Sequence, residues 1–363
     1  IETFPSEILA LPNLLELNLL QNKIKHLPKE IEQLKSIQDL NLSLNDLESL
    51  PNSIGELSNL EVLDCSFCYL TEIPKSILQL KKIAEQGFSP SSLTNYIRNP
   101  LDFYYQKLLG IKDLEDVEET VAANTMGTVV HDTLEALYIP FIGAHIKVED
   151  IKGMKPLIDA NISKFFQKAY AEGDMTKGKN LIIFEIAKRY VQNFLNLEIE
   201  DLKAGNTIKI IALEKRTEIP LDIPELNFEV RLKGSVDRVD EYNGITRIID
   251  YKTGMVTGGN LRVPEFEYLR DEKHLKAIQV LLYTYLFTKG KNYDFSKPLE
   301  AGIYSFKNLN SGFLPIDFAL PRRKAETKIT QEKLDEFIEE IKIYIKEIYS
   351  SKIDFLEPAD LRY

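Results

Sequence analysis

Asp237, Asp250 and Lys252 are the residues whose types and spacing best suit chemistry, and they lie in the stretch LKGSVDRVDEYNGITRIIDYKTG from Leu232 to Gly254. Val236 to Val239 and Thr246 to Tyr251 alternate or run apolar, as buried strands do. Asn243-Gly244 between them is the signal for a two-residue type I′ hairpin, because both central positions of that turn need φ > 0. Side chains alternate across a strand, so Asp250 and Lys252 point one way and Tyr251 the other. Two carboxylates and an ammonium at the end of a buried sheet are costly unless they bind something. A divalent cation on the carboxylate oxygens answers that cost, and leaves the lysine for an anion or a water.

Other polar residues recur at helical spacing. A helix expected over residues 124–139 puts His131 and Glu135 at i, i+4 on one face. Taken alone, that histidine is more simply a satisfied core or surface residue, and the glutamate a solvated one. Gln279 and Tyr283 repeat the spacing further on, where a polar face beside a buried tyrosine is the plain explanation. Glu214 lies in a strand expected over 208–219, either as a surface residue or near the carboxylates. His274 and Lys276, after a glycine-rich loop at 254–260, are placed to touch phosphate, with simple exposure the plainer reading. Arg322-Arg323-Lys324 reads as a solvated loop that would suit a DNA backbone if it lay near the cleft.

The order of these elements carries a resemblance. Gly127-Thr128-Val129-Val130-His131, then Gly234-Ser235-Val236-Asp237, then Asp250-Tyr251-Lys252, then Gln279-Val280-Leu281-Leu282-Tyr283 resembles the PD-(D/E)xK nucleases. The branch it looks like is the RecB type, with the nuclease domains of RecB- and AddB-like repair proteins, over roughly residues 86–363. One Asp-x-Lys would be weak; four elements in order are specific.

The resemblance implies an α/β fold, a restriction-endonuclease-like mixed sheet flanked by helices. It implies a metal-dependent deoxyribonuclease, exonuclease more than endonuclease, acting on DNA in break processing or repair. A helicase or other repair subunit is the partner such a role calls for. Mg²⁺ or Mn²⁺ would be held by His131, Asp237, Asp250 and the Tyr251 carbonyl, since imidazole is a good third ligand beside two carboxylates. Lys252 would orient the attacking water or neutralise the developing phosphorane. Glu135 would orient His131 or a water, and Gln279 and Tyr283 would flank the metal and help place the strand. Family members also carry a Ser-Pro-Ser lead-in like Ser89-Pro90-Ser91, and in some a cysteine beside a later proline helps hold an iron–sulfur cluster. Here that residue is Asn99, before Pro100, and residues 84–363 contain no cysteine, so no iron–sulfur cluster is expected. The competing reading is a domain that binds DNA without cutting it. Degenerate folds of that kind lose an acidic ligand or the lysine, and this chain keeps them.

The residues before 84 are organised differently. Leu14-x-x-Leu17-x-Leu19-x-x-Asn22-x-Ile24 recurs 23 residues later from Ile37 and again from Leu60, each time followed by an apolar-Pro pair, Leu27-Pro28, Leu50-Pro51 and Ile73-Pro74. This resembles a leucine-rich repeat, and predicts a solenoid fragment over 1–83 joined to the nuclease-like domain at 84–363. Ile1 to Pro5 reads as the tail of an earlier repeat, so a fragment, or a repeat module joined to the nuclease, is expected. The exposed strand positions Glu16, Asn18, Asp39, Asn41, Val62 and Asp64 are acidic on balance, which suits a protein partner better than DNA. Cys65 and Cys68 form a CxxC, but they occupy an inward leucine position and a turn position, and no second CxxC completes four ligands. They are read as structural.

The net charge of −11 argues against general coating of nucleic acid while leaving room for a local basic groove. Two cysteines give no disulfide framework, and no apolar run approaches membrane-spanning length, so a cytoplasmic setting without membrane contact is the expectation.

Overall fold

Asn243 and Gly244 take φ of 51° and 83°, the left-handed pair that a two-residue hairpin needs. They join strand β5 (Val230–Tyr242) to β6 (Ile245–Lys252), paired antiparallel from Tyr242↔Ile245 to Arg238↔Ile249. The computed structural model describes the chain except residues 58, 61, 71–73, 75–86, 109–122, 170–176, 227, 321 and 351–363. The hairpin is the middle of a five-stranded mixed sheet, in which β4 is Ile208–Leu221, β7 is Leu299–Ser305 and β8 is Leu314–Pro315. The order is β4-β5-β6-β7-β8, with β6 and β7 parallel and β7 and β8 antiparallel.

Eight α-helices are described. They are α1 (Pro90–Arg98), α2 (Pro100–Phe103), α3 (Ala123–Tyr138), α4 (Val148–Met154), α5 (Ile158–Ala169), α6 (Gly178–Lys203), α7 (Leu275–Lys291) and α8 (Gln331–Ile348). Packing divides the chain into two units. One comprises Glu115–Ile219 and Lys233–Ile338. Its core joins Val129, Val130, Leu134 and Tyr138 of α3, Ile162 and Phe166 of α5, and Val191, Phe194 and Leu195 of α6 to Ile249 and Tyr251 of β6 and Tyr304 of β7. Tyr251 therefore faces this core while its neighbours Asp250 and Lys252 face away from it, as the two-residue period requires. Helix α7 packs on β6 and β7 with most of its length buried.

The other unit comprises Ile1–Leu114, Pro220–Leu232 and Glu339–Tyr363. In it β1 (Glu16–Asn18), β2 (Asp39–Asn41) and β3 (Val62–Asp64) pair in parallel, Glu16 opposite Asp39 and Asp39 opposite Val62. Each 23-residue repeat thus contributes one strand. Asn45 is buried and its Nδ2 donates to Leu42 O at 2.8 Å and Leu19 O at 2.9 Å, satisfying two carbonyls at the turn. Cys68 takes the corresponding place one repeat on, its S–H donating to Leu42 O at 3.3 Å, and Cys65 is buried in the repeat core. Tyr104 is buried in the same core. The junction expected at 83 to 84, and Ile73 of the third apolar-Pro pair, lie outside the described residues.

Ser89 caps α1 in a reciprocal pair with Ser92, and α1 ends at Arg98 just before Pro100, where a proline removes the donor a continuing helix would need. The apolar stripe of α8 is buried as its spacing predicts, through Leu334, Phe337, Ile338, Ile341, Ile345 and Ile348. Among the described residues no helix is long and apolar enough to cross a membrane.

Candidate active site

Asp237 of β5 accepts the Tyr251 N–H of β6 on its Oδ2 at 2.7 Å. The carboxylate is thereby locked to the strand that carries Asp250 and Lys252. Helix α3 brings His131 to the same place. Its Nδ1 is 3.3 Å from Asp237 Oδ2, and its Nε2 is 2.9 Å from the Tyr251 carbonyl oxygen. With a carboxylate at one ring nitrogen and a carbonyl at the other, both nitrogens are suited to carry a proton. Burial works against the charged imidazole, but Asp237 overrides it and lifts His131 to about 9. Asp237 in turn is held below its ordinary value, burial being outweighed by His131, Lys252 and the Tyr251 N–H.

Glu214 of β4 completes a group. Its carboxylate, His131 and Asp237 each offer a ligand atom within 4.8 Å of the others. Glu214 has φ 39°, a left-handed residue inside a strand, where a side chain is re-aimed at a local cost in strain. Ser235 Oγ donates to its Oε2 at 3.1 Å. Burial, then Asp237, push Glu214 up to about 7, against His131. Nothing in the strand pattern of 208–219 distinguishes this glutamate from a surface one, so the sequence left it open.

Asp250 stands beside this trio with Lys252. The ammonium lies 2.9 Å from Oδ1 and 2.7 Å from Oδ2. Burial nonetheless lifts Asp250 to about 6, the lysine opposing and Asp237 adding to the rise. On α7, Gln279 Nε2 donates to the Tyr283 hydroxyl at 3.0 Å. Burial and then Asp250 raise the Tyr283 hydroxyl above its ordinary value. Gly234 explains its own side of the contact: a Cβ there would meet Leu286 Cδ1 at 2.8 Å and the Tyr283 ring at 3.1 Å. Gly127 is unlike it, because a Cβ there would meet only Thr253 Oγ1 at an ordinary 3.6 Å.

Glu135 is partly buried one turn beyond His131, and among the described residues no hydrogen bond joins the two. It contributes instead to the field on Glu214. His274 and Lys276 are not the exposed pair that the sequence suggested: His274 is buried and Lys276 half-buried. Arg322, Arg323 and Lys324 are exposed, as a solvated loop would be.

The donor set, one imidazole nitrogen with carboxylate oxygens, fits a hard to borderline divalent cation. Three of these donors, on His131, Glu214 and Asp237, already lie within 4.8 Å of one another. The residues present therefore fit a metal.

Comparison with known proteins agrees with this chemistry. Uncharacterised proteins of Rickettsia conorii and Rickettsia felis are 23% and 24% identical to the chain over 178 residues, which is 46% of this chain and 19% of each relative. The chain thus matches about a fifth of the length of these relatives. A solved leucine-rich repeat protein of Leptospira interrogans is 51% identical over 22% of this chain and 21% of its own, with a TM-score of 0.22. The family model of the PD-(D/E)XK nuclease superfamily matches residues 87–358, a span that holds every residue of the site, and the chain belongs to that superfamily.

Proposed function

We propose that the chain is a divalent-metal-dependent DNA nuclease of the RecB and AddB type, hydrolysing phosphodiester bonds in break processing. The observation that carries this reading is the convergence of His131, Glu214 and Asp237 within 4.8 Å of one another, next to a lysine held on a buried carboxylate. His131, Glu214 and Asp237 would hold Mg²⁺ or Mn²⁺, with the Tyr251 carbonyl and Asp250 as further oxygen donors. Such an ion supplies Lewis acidity toward a phosphodiester oxygen and a more acidic water.

The chain's own residues do the rest. Asp250 keeps the Lys252 ammonium pointed along the site, from where its remaining N–H groups reach a water or a phosphate oxygen. Charge developing on the phosphate meets a donor already in place, so little reorganisation is needed as the bond breaks. Gln279 and Tyr283 present an amide and a hydroxyl from a rigid helix, and position the strand. The parallel repeat strands of β1 to β3 support reading the N-terminal segment as a leucine-rich repeat module that takes a protein partner.

The test is cleavage of linear and circular DNA by the purified chain in Mg²⁺, in Mn²⁺ and in chelator. Loss of linear DNA from its ends, abolished by chelator, is the expected result. DNA binding without cleavage in either metal would instead establish the silent alternative.

A further inference from the structure

Lys276 sits near the start of α7, and Lys276, Gln279 and Tyr283 follow one another at i, i+3 and i+7 on one helix face. The Tyr283 end of that face meets Gly234 of β5. The Lys276 end meets the segment just after β6, where Lys276 Nζ donates to Met255 O at 3.0 Å. That segment is itself fastened. Ser305 Oγ donates to Gly254 O at 2.8 Å, the Val256 N–H donates to Ser305 Oγ at 3.1 Å, and Asn308 Nδ2 donates to Val256 O at 2.9 Å. A second ammonium is therefore held at a set position, against the segment that follows Lys252 at the end of β6.

Its charge is not balanced locally. Lys276 is half-buried and makes no ion pair with any described residue, while the nearby Asp250 carboxylate already faces Lys252. One of its three N–H groups serves Met255, which leaves two. A partly desolvated cation beside another cation is unfavourable unless an anion arrives. Burial and then the Lys252 ammonium pull Lys276 below the ordinary lysine value, with Asp250 opposing, so both ammonium groups act on one small region.

We propose that Lys276 is a binding residue for a second phosphodiester of the nucleic-acid strand, next to the one that Lys252 addresses. The spacing of the two lysines then sets the register of the strand, and the Gln279 and Tyr283 face lies alongside it. This rests on the nuclease reading above.

The test uses the full chain and binding of a single-stranded oligonucleotide in Ca²⁺, so that it does not depend on cleavage. Lys276→Gln removes the charge but keeps an N–H donor on a side chain one bond shorter, whereas Lys276→Met removes both charge and donor. Both variants are expected to bind about five- to tenfold more weakly, and to lower the slope of log K against log salt by about 0.7, the value for one lost contact to a single strand. A single methylphosphonate linkage, stepped along the oligonucleotide, should weaken wild type at one position where it leaves both variants unaffected. Lys276→Arg should restore the salt slope. An unchanged slope in Lys276→Gln, or a methylphosphonate penalty equal in variant and wild type at every linkage, overturns the proposal. Failure of the nuclease reading is a separate result, seen as intact DNA with wild type in Mg²⁺ and Mn²⁺.

Discussion

The Lys252 ammonium is bound by both oxygens of Asp250, at 2.9 and 2.7 Å, although the two residues stand only two apart on one strand. Asp250 is buried and Lys252 is partly exposed, so the carboxylate anchors the lysine while its N–H groups stay open to solvent. Removing the lysine should leave the trio of His131, Glu214 and Asp237 in place and remove the donor that meets the phosphate. Lys252→Ala is expected to lose cleavage by at least about 100-fold, the scale for one electrostatic stabiliser, with metal binding retained. Asp237→Ala should lose both. Calorimetric titration with Mn²⁺ beside a single-turnover cleavage assay checks the pair, and appreciable cleavage by either variant would falsify these roles.

Three of the site's titrating groups, His131, Glu214 and Asp250, are shifted in one direction, upward. His131 is raised from 6.5 to about 9, so its contribution to stability is complete below 6.5 and is lost as pH rises through 9. Glu214, raised from 4.5 to about 7, and Asp250, raised from 3.8 to about 6, bind more protons folded than unfolded, so their contributions also decline with rising pH. Asp237 is lowered and acts oppositely, but only in acid below its ordinary value of 3.8. In chelator the melting temperature should therefore fall between about pH 5 and pH 9. Divalent ions should raise it, and by more at higher pH, because binding displaces protons from the same groups. A melting temperature that climbs with pH in chelator would contradict this account.

Gly234 and Gly127 should respond in opposite ways. A Cβ at Gly234 would press on Leu286 and on the Tyr283 ring, so Gly234→Ala is expected to cost about 1–3 kcal/mol, as overpacking does. It should also displace Tyr283 and weaken cleavage. Gly127 lies inside α3, and a Cβ there finds only ordinary contact. Gly127→Ala should leave stability unchanged or improve it by up to about 1 kcal/mol, from helix propensity. Urea denaturation of both variants decides the matter. Loss of cleavage in a fully stable Gly127→Ala would assign that glycine to the passage of substrate.

Much of this site was legible in the residues themselves. Asn243-Gly244 can hardly be anything but a tight turn, and once the hairpin is drawn the period of two sends Asp250 and Lys252 to one face. Gln279 and Tyr283 are four apart, which on a helix makes them neighbours, and their hydrogen bond follows. What escaped the sequence depends on backbone detail or on distant partners. Glu214 joins His131 and Asp237 through a left-handed residue in mid-strand, and no side-chain pattern announces that for a glutamate. Lys276 and His274 look solvent-facing because charged residues surround them in sequence, yet the segment after β6 folds back over that end of α7.

Arg238 follows Asp237 and so lies on the opposite side of β5, where it is wholly buried. Its guanidinium pairs with Glu198 at 2.8 Å and with Asp240 at 2.7 Å, and Arg247 grips both oxygens of Asp240 at 2.9 Å. The Tyr138 hydroxyl donates to Glu198, and Arg238 Nη1 donates to the Tyr251 hydroxyl at 3.4 Å. Two cations and two anions therefore balance beneath the strands that carry Asp237, Asp250 and Lys252, and tie α6 to both strands of the hairpin. Removing one charge leaves the rest uncompensated in a medium that screens poorly. Asp240→Asn is expected to cost about 3–5 kcal/mol, the scale for breaking a buried pair. Removing Arg238 and Glu198 together, as Arg238→Met with Glu198→Gln, should cost less than the sum of the two single changes, since each single variant strands its partner. Urea denaturation of the four proteins in the cycle measures that coupling. A cost below about 1 kcal/mol for Asp240→Asn, or strict additivity in the cycle, would mean that the network does not hold the hairpin. Because Tyr251 lies between Asp250 and Lys252 in sequence and reaches this network through its hydroxyl, the surviving variants should also lose cleavage in proportion to lost stability, with the Mn²⁺ affinity falling alongside.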